Sequence, residues 1–177
     1  GNSGGGTQAA YQGVGDQRLA AVISSCYPTD WRHLWSPTGP QDAEQLLAGW
    51  LRDGFDFSDF MLAVAPRPYL ISSAIKDYFP IDGARRTFQE SRAFYRVLGR
   101  EDRVEHATAD EQHGWTKPLR EAAYRFLSNW LDVPGAGGAE GEIKLEELAT
   151  LSVTPTGQLQ SSRSEERRVG KECRSRW

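Results

Sequence analysis

A chain of 177 residues that is 38% hydrophobic and 25% charged is too apolar for a disordered tail and has no collagen-like glycine period, so it reads as one globular unit. It contains no run of about 18 apolar residues, the length a membrane-spanning helix needs, and no charged start leading into an apolar stretch, the mark of a signal peptide. A formal net charge of −3 argues against a phosphate backbone as partner.

The chain opens "GNSGGGTQAAY". A glycine-rich start suits a flexible linker, but Gly1-Asn2-Ser3-Gly4-Gly5 also fits G-x-S-x-G, the sharp strand-to-helix turn that presents a nucleophilic serine. On that reading Gly4 to Gly6 let the helix approach its strand closely. The Gly4 N–H, one residue past the nucleophile, stands where an oxyanion donor is needed. Gln8 to Gln12 can be helical, Gly13 to Asp16 breaks the helix, and the apolar run from Leu19 to Ser24 suits a buried parallel strand. Cys26, the one cysteine in the globular part, reads as a small buried hydrophobe with no disulfide partner.

From Tyr27 to Phe60 the pattern loosens. Asp42 to Leu51 is helix-like, with acids in its first turn as the dipole prefers. The remainder is a long loop rich in Trp and Asp, and loops of that length are more often functional than structural. Trp31 and Trp35 either cap the core or wall a sugar-binding site, and Tyr27 and Trp115 are further candidates to face a carbohydrate.

Pro66 and Pro68 then hold an extended lead-in to a second buried strand, Tyr69 to Ala74, with Asp77 just beyond its carboxyl end. Ile81 and Asp82 start a helix, with Asp82 as its N-cap, Gly99 as its stop, and Phe88, Tyr95 and Leu98 on its core face. Val104 to Ala107 is a third strand, and "TADEQHGW" is the loop past its end. Pro118 opens a last helix with an apolar stripe of Leu119, Ala122, Ala123, Phe126, Leu127, Trp130 and Leu131.

Three strand ends thus carry Ser3, Asp77 and His113, in the chain order that α/β-hydrolases use, at the sheet edge where open α/β folds place ligands. Each has a rival. Ser3 could be a linker serine, Asp82 or Asp110 could be the acid, and His33 or His106 could be the base. Asp82 is committed to capping and Asp110 is local to His113, whereas Gly114 lets the loop bend tightly after His113.

The tail "RSEERRVGKECRSRW", Arg163 to Trp177, is basic and aperiodic. It resembles the in-frame translation of a sequencing-library adapter; the rival reading is a nucleic-acid or membrane-surface patch. Without its six basic and three acidic residues, 15 basic face 21 acidic residues, a net charge near −6. The expected organisation is a hydrolase domain over 1–133, a glycine-rich linker over 134–142, a following segment over 143–162 and an adapter-derived artefact over 163–177.

The segments "GNSGGGTQAAY", "GPQDAEQ", "APRPYLISSAIKDYFPIDGARRTF" and "DEQHGWTKPLREAAYRFLSNWL" resemble the C-terminal half of α/β-hydrolase-fold serine esterases of the acetyl xylan esterase-like kind, relatives of the prolyl-oligopeptidase and dienelactone-hydrolase groups. The resemblance implies a truncated α/β-hydrolase fold, its last three parallel strands with flanking helices and its early strands missing. It implies a triad of Ser3, Asp77 and His113, an oxyanion donor at Gly4, and no metal or other cofactor. The expected parent is a serine carboxylesterase deacetylating a carbohydrate ester, with no nucleic-acid or membrane partner, and the fragment alone is expected to be poorly soluble and inactive. A serine peptidase of the prolyl-oligopeptidase type and a non-catalytic fragment are the alternatives.

Overall fold

A strand whose successive residues are all buried must be covered on both faces, and the central strand of this protein is such a strand. The computed structural model describes residues 1–35, 41–132, 138–154 and 156–158. Three parallel strands, β1 (Val22–Ser25), β2 (Tyr69–Lys76) and β3 (Val104–Gln112), lie in the order β1-β2-β3. Tyr69 stands beside Val22 on one flank and Val104 on the other.

The first six residues of β2 are all buried. Tyr69 and Ile71 join a core with Val22, Val104 and the helices α1 (Gly4–Gly15), α3 (Ser58–Val64) and α4 (Ile81–Val97). Leu70 faces the other way, onto Ala123 and Phe126 of α5 (Lys117–Leu131). Outside β1 the first residues continue the parallel pattern: Asn2 bridges Ser25, the Ser25 N–H donates to the Gly1 carbonyl at 2.9 Å, and the Ser3 N–H donates to Ser25 at 2.9 Å.

Several boundaries depart from expectation. Helix α1 begins at Gly4, not Gln8, because glycines permit a close pass: a Cβ on Gly6 would lie 2.6 Å from the Ser25 carbonyl oxygen, and one on Gly13 would lie 2.7 Å from Val22. Strand β1 starts only at Val22, leaving Leu19 exposed. The helix expected over Asp42 to Leu51 is absent. A 3-10 turn, Ala43–Gln45, gives way to turns in which Gly49 and Gly54 take φ of +83° and +82°, a conformation that ends a helix. The supposed loop instead holds α2 (Trp31–Trp35) and α3.

Strand β3 runs on through Gln112, taking in most of the stretch read as loop. Asp82 does not cap α4. Pro80 occupies that position, and Asp82 accepts a hydrogen bond from Arg85 at 2.9 Å inside the first turn. Leu98 is exposed rather than part of the core face, and Leu131 likewise lies outside the buried stripe of α5. Pro118 lies in the first turn of α5 as expected.

The chain divides into two compact units, Gly1–Glu140 and Gly141–Trp177. Residues 138–140, read as part of a linker, return to the first unit, where Arg120 forks onto Glu140 at 2.5 and 2.6 Å. The second unit contains a short helix, α6 (Leu148–Leu151). The basic tail over 163–177 lies outside the described residues. No helix among the described residues is long and apolar enough to cross a membrane.

His106, considered as a base, points from β3 to the Ser73 hydroxyl at 3.0 Å and packs on the Phe88 ring. Burial, helped by the charge of Arg85, lowers its pKa from 6.5 to about 4. Between those values the unfolded chain binds the proton and the folded one does not, so stability is full above about pH 6.5 and falls on acidification towards pH 4. His106→Gln is expected to flatten this limb when denaturation midpoints are measured against pH.

Candidate active site

Ser3 sits between the extended start of the chain and α1, with φ 55° and ψ −126°. A non-glycine residue at positive φ is strained, and here two bonds fix it: the Ser3 N–H donates to Ser25, and the Ser3 carbonyl receives the Thr7 N–H at 3.0 Å. Gly4 follows as the first residue of α1, where backbone N–H groups lack partners inside the helix. A Cβ on Gly4 would come 3.1 Å from Oε1 of Glu44, so that carboxylate borders the Ser3 turn. Glu44 carried no signal in the sequence that linked it to Ser3.

The sheet register explains the next two residues. The last pair of β2 and β3 is Lys76 beside Gln112, with a register shift just before it. The residues that follow are therefore released side by side, and they are Asp77 and His113, 36 positions apart in the chain. His113 Nδ1 lies 2.9 Å from both carboxylate oxygens of Asp77. The Asp77 side chain is 2% exposed and that of His113 24%. Asp77 Oδ1 also accepts the Phe79 N–H at 3.0 Å, which fixes the carboxylate. The other imidazole nitrogen, Nε2, meets the Tyr78 hydroxyl at 3.2 Å, and the two rings stack with centroids 4.4 Å apart. Among the described residues no hydrogen bond joins Ser3 to His113.

Strand β1 ends beside them as well. Cys26 follows Ser25, takes φ 47°, and donates its N–H to Ser72 on β2 at 2.8 Å. Its sulfur, a carboxylate oxygen of Asp77 and a ring nitrogen of His113 all lie within 4.8 Å of one another. The thiol is 2% exposed, and burial pushes its pKa up. The expectation of a small buried residue describes its packing but not its neighbours.

The rivals are engaged elsewhere. Asp110 pairs with Lys76 at 3.0 Å, and Asp82 with Arg85. His33 is on α2, not in a loop, and its Nδ1 lies 2.7 Å from Asp30, whose side chain is 1% exposed. That second histidine–carboxylate pair spans i to i+3 and was legible only as spacing.

The aromatic residues divide. Tyr27 is 1% exposed and packs on Phe57 and Phe79, so it cannot face a carbohydrate. Trp31 meets Trp50 edge-on and Phe57 at a tilt, with its Nε1–H donated to the Phe55 carbonyl at 2.9 Å, and so covers the core. Trp35 is 58% exposed and shares with Trp31, Trp50 and Leu51 the wall of an apolar cleft of about 410 Å³. Trp115 is half-buried against Leu119 and Phe126.

Three parallel strands in this order, flanked by helices on both faces, superpose on parts of solved esterase structures. The fold is part of an α/β-hydrolase fold. A carbohydrate esterase family 15 glucuronoyl esterase from Caldicellulosiruptor kristjansonii superposes with TM-score 0.60 at 20% identity, over 82% of this chain and 46% of its own. The methylesterase BT1017 gives 0.64 at 24% identity, over 90% and 35%. The glucuronoyl esterase catalytic domain from Hypocrea jecorina gives 0.58 at 12% identity, over 80% and 46%. This chain thus spans under half the length of each of these hydrolase-fold structures. At such identities the likeness is one of fold. None of the three is named an acetyl xylan esterase. No family model matches the sequence, and no curated protein matches it.

Proposed function

We propose that this chain is the nucleophile-to-base portion of a serine carboxylesterase acting on a carbohydrate ester, with Ser3 as nucleophile, His113 as base, Asp77 as its orienting acid and Gly4 as an oxyanion donor. The observation that carries the reading is the buried Asp77 carboxylate gripping His113 Nδ1 at 2.9 Å from both oxygens. That contact leaves Nε2 as the nitrogen turned to chemistry, the division of labour a serine hydrolase needs. The left-handed φ of Ser3 at the entrance to α1 supports the nucleophile assignment, since a strained turn is how this fold exposes a serine.

In the reaction Tyr78 yields Nε2 to Ser3. Nε2 takes the hydroxyl proton as Ser3 Oγ bonds to the ester carbonyl carbon, and the Gly4 N–H receives the oxyanion. The intermediate expels the alcohol, which carries off the proton from His113. Water then attacks the acyl-enzyme by the same route and releases the acid and free Ser3. The chain spans under half of the structures it resembles, so the activity is assigned to a protein that carries this chain within a whole domain. The chain alone is expected to be inactive.

Two ester classes fit. Resemblance in sequence favours an acetyl group on a sugar; the fold neighbours named as glucuronoyl esterases and a methylesterase favour an ester of a sugar's own carboxyl group. Comparing turnover of acetylated xylan, a methyl uronate and a peptide amide by the protein that carries this chain separates them. Ester turnover with no peptide cleavage is expected. Peptide cleavage at comparable kcat/KM would overturn the esterase reading in favour of a serine peptidase.

A further inference from the structure

Residues 26, 77 and 113 are too dispersed for any metal-binding spacing to show in the sequence, yet the ends of β1, β2 and β3 bring a thiol, a carboxylate and an imidazole to one point. We propose that Cys26, Asp77 and His113 form a binding site for a soft or borderline divalent cation of the zinc type, and that occupancy switches off the proposed hydrolysis by taking the acid and base out of use. The inhibitory half rests on the function proposed above; the binding half does not.

The chemistry of the donor set is the first argument. Sulfur, nitrogen and oxygen from one Cys, one His and one Asp suit a tetrahedral Zn²⁺ that keeps its fourth position for water. The three donors lie within 4.8 Å of one another, whereas ligands sharing one tetrahedral ion stand roughly 3.3–3.6 Å apart. The set therefore has to close by about an ångström at its widest. The edge between Asp77 and His113, now a 2.9 Å hydrogen bond to Nδ1, opens to ligand spacing as the cation displaces the shared proton.

The second argument is support around the donors. Hydrogen bonds to the ligating side chains orient them and raise affinity. Here the Phe79 N–H donates to Asp77 at 3.0 Å and the Ser25 hydroxyl donates to the Cys26 sulfur at 3.7 Å. Each donor follows directly on a strand, so little conformational freedom is lost on binding. His113 is the most exposed of the three, which leaves an approach from its side. A buried neutral thiol beside a carboxylate is otherwise inert, and an incoming cation is what stabilises its thiolate.

The experiment titrates Cd²⁺, as a spectroscopic stand-in for Zn²⁺, into the protein that carries this chain and into its Cys26→Ser variant, following the ultraviolet sulfur-to-metal charge-transfer band. Circular dichroism checks that each variant is folded. The expected result is a band worth one equivalent that is present in the parent and missing from Cys26→Ser, with affinity weakened at least tenfold by Asp77→Asn and by His113→Gln. A band that survives Cys26→Ser, or one indifferent to both other substitutions, overturns the site. Zn²⁺ is then expected to slow ester hydrolysis by the parent and to act at least tenfold more weakly on Cys26→Ser. Equal inhibition of the two overturns the switch. Absence of any ester turnover overturns the proposed function while leaving the Cd²⁺ result to stand by itself.

Discussion

Ser3→Ala in the protein that carries this chain is expected to lower kcat for ester hydrolysis by about 10⁴-fold or more, with little change in KM. The reason is local. The substitution removes only the Oγ that would attack, while the bonds that hold the turn run through the Ser3 backbone to Ser25 and Thr7 and persist in alanine. A residual rate above water is still expected, because the Gly4 N–H and the binding surface remain. A serine-directed phosphonate gives a second readout: its adduct should map to the peptide bearing Ser3 in the parent and be absent from the variant. A fall of less than 100-fold, with the adduct elsewhere, removes Ser3 from the mechanism.

The meeting of Asp77 and His113 was legible in outline because parallel strands release their following residues at one end of the sheet, so two strands followed by Asp and His needed no coordinates to be suspected. What lay beyond reach came from register and from packing across the chain. Asp77 and His113 meet because Lys76 pairs with Gln112, and β3 was thought to stop five residues earlier. Its later part alternates buried Ala109 with exposed Thr108, Asp110 and Gln112, a polar pattern that a strand at the side of a sheet tolerates and a central strand does not. Cys26 was read by its size, and its place against Asp77 and His113 follows from the pairing of Ser25 with Ser72. The expected helix over Asp42 to Leu51 rested on the acids in its first turn, but of its large apolar residues Leu46, Leu47, Trp50 and Leu51 only Trp50 is buried, and Gly49 at positive φ interrupts the turn. The Tyr78 ring on His113 has no counterpart in spacing, since it depends on how the chain turns after β2.

Phe57→Ala is expected to destabilise the protein by about 3–5 kcal/mol, read as a lower denaturation midpoint. Phe57 is fully buried and meets Trp50, Tyr27 and Trp31 at ring separations of 5.0, 5.2 and 5.3 Å. It therefore ties the turns around Trp50 to Tyr27, the residue after Cys26. Trp35→Ala serves as the contrast. Trp35 is 58% exposed at the wall of the cleft, and its truncation should stay within about 0.5 kcal/mol. The pair of variants distinguishes two ways a loop rich in tryptophan can be used. If stability resides at Phe57 and not at Trp35, the aromatic residues facing inward hold the loop in place, and Trp35 remains available to a ligand in the cleft. The effect of Phe57→Ala should also reach the site. Tyr27 packs on Phe79 as well as on Phe57, and Phe79 is the residue whose N–H holds Asp77. A cavity at Phe57 thus loosens, through two ring contacts, the carboxylate that orients His113.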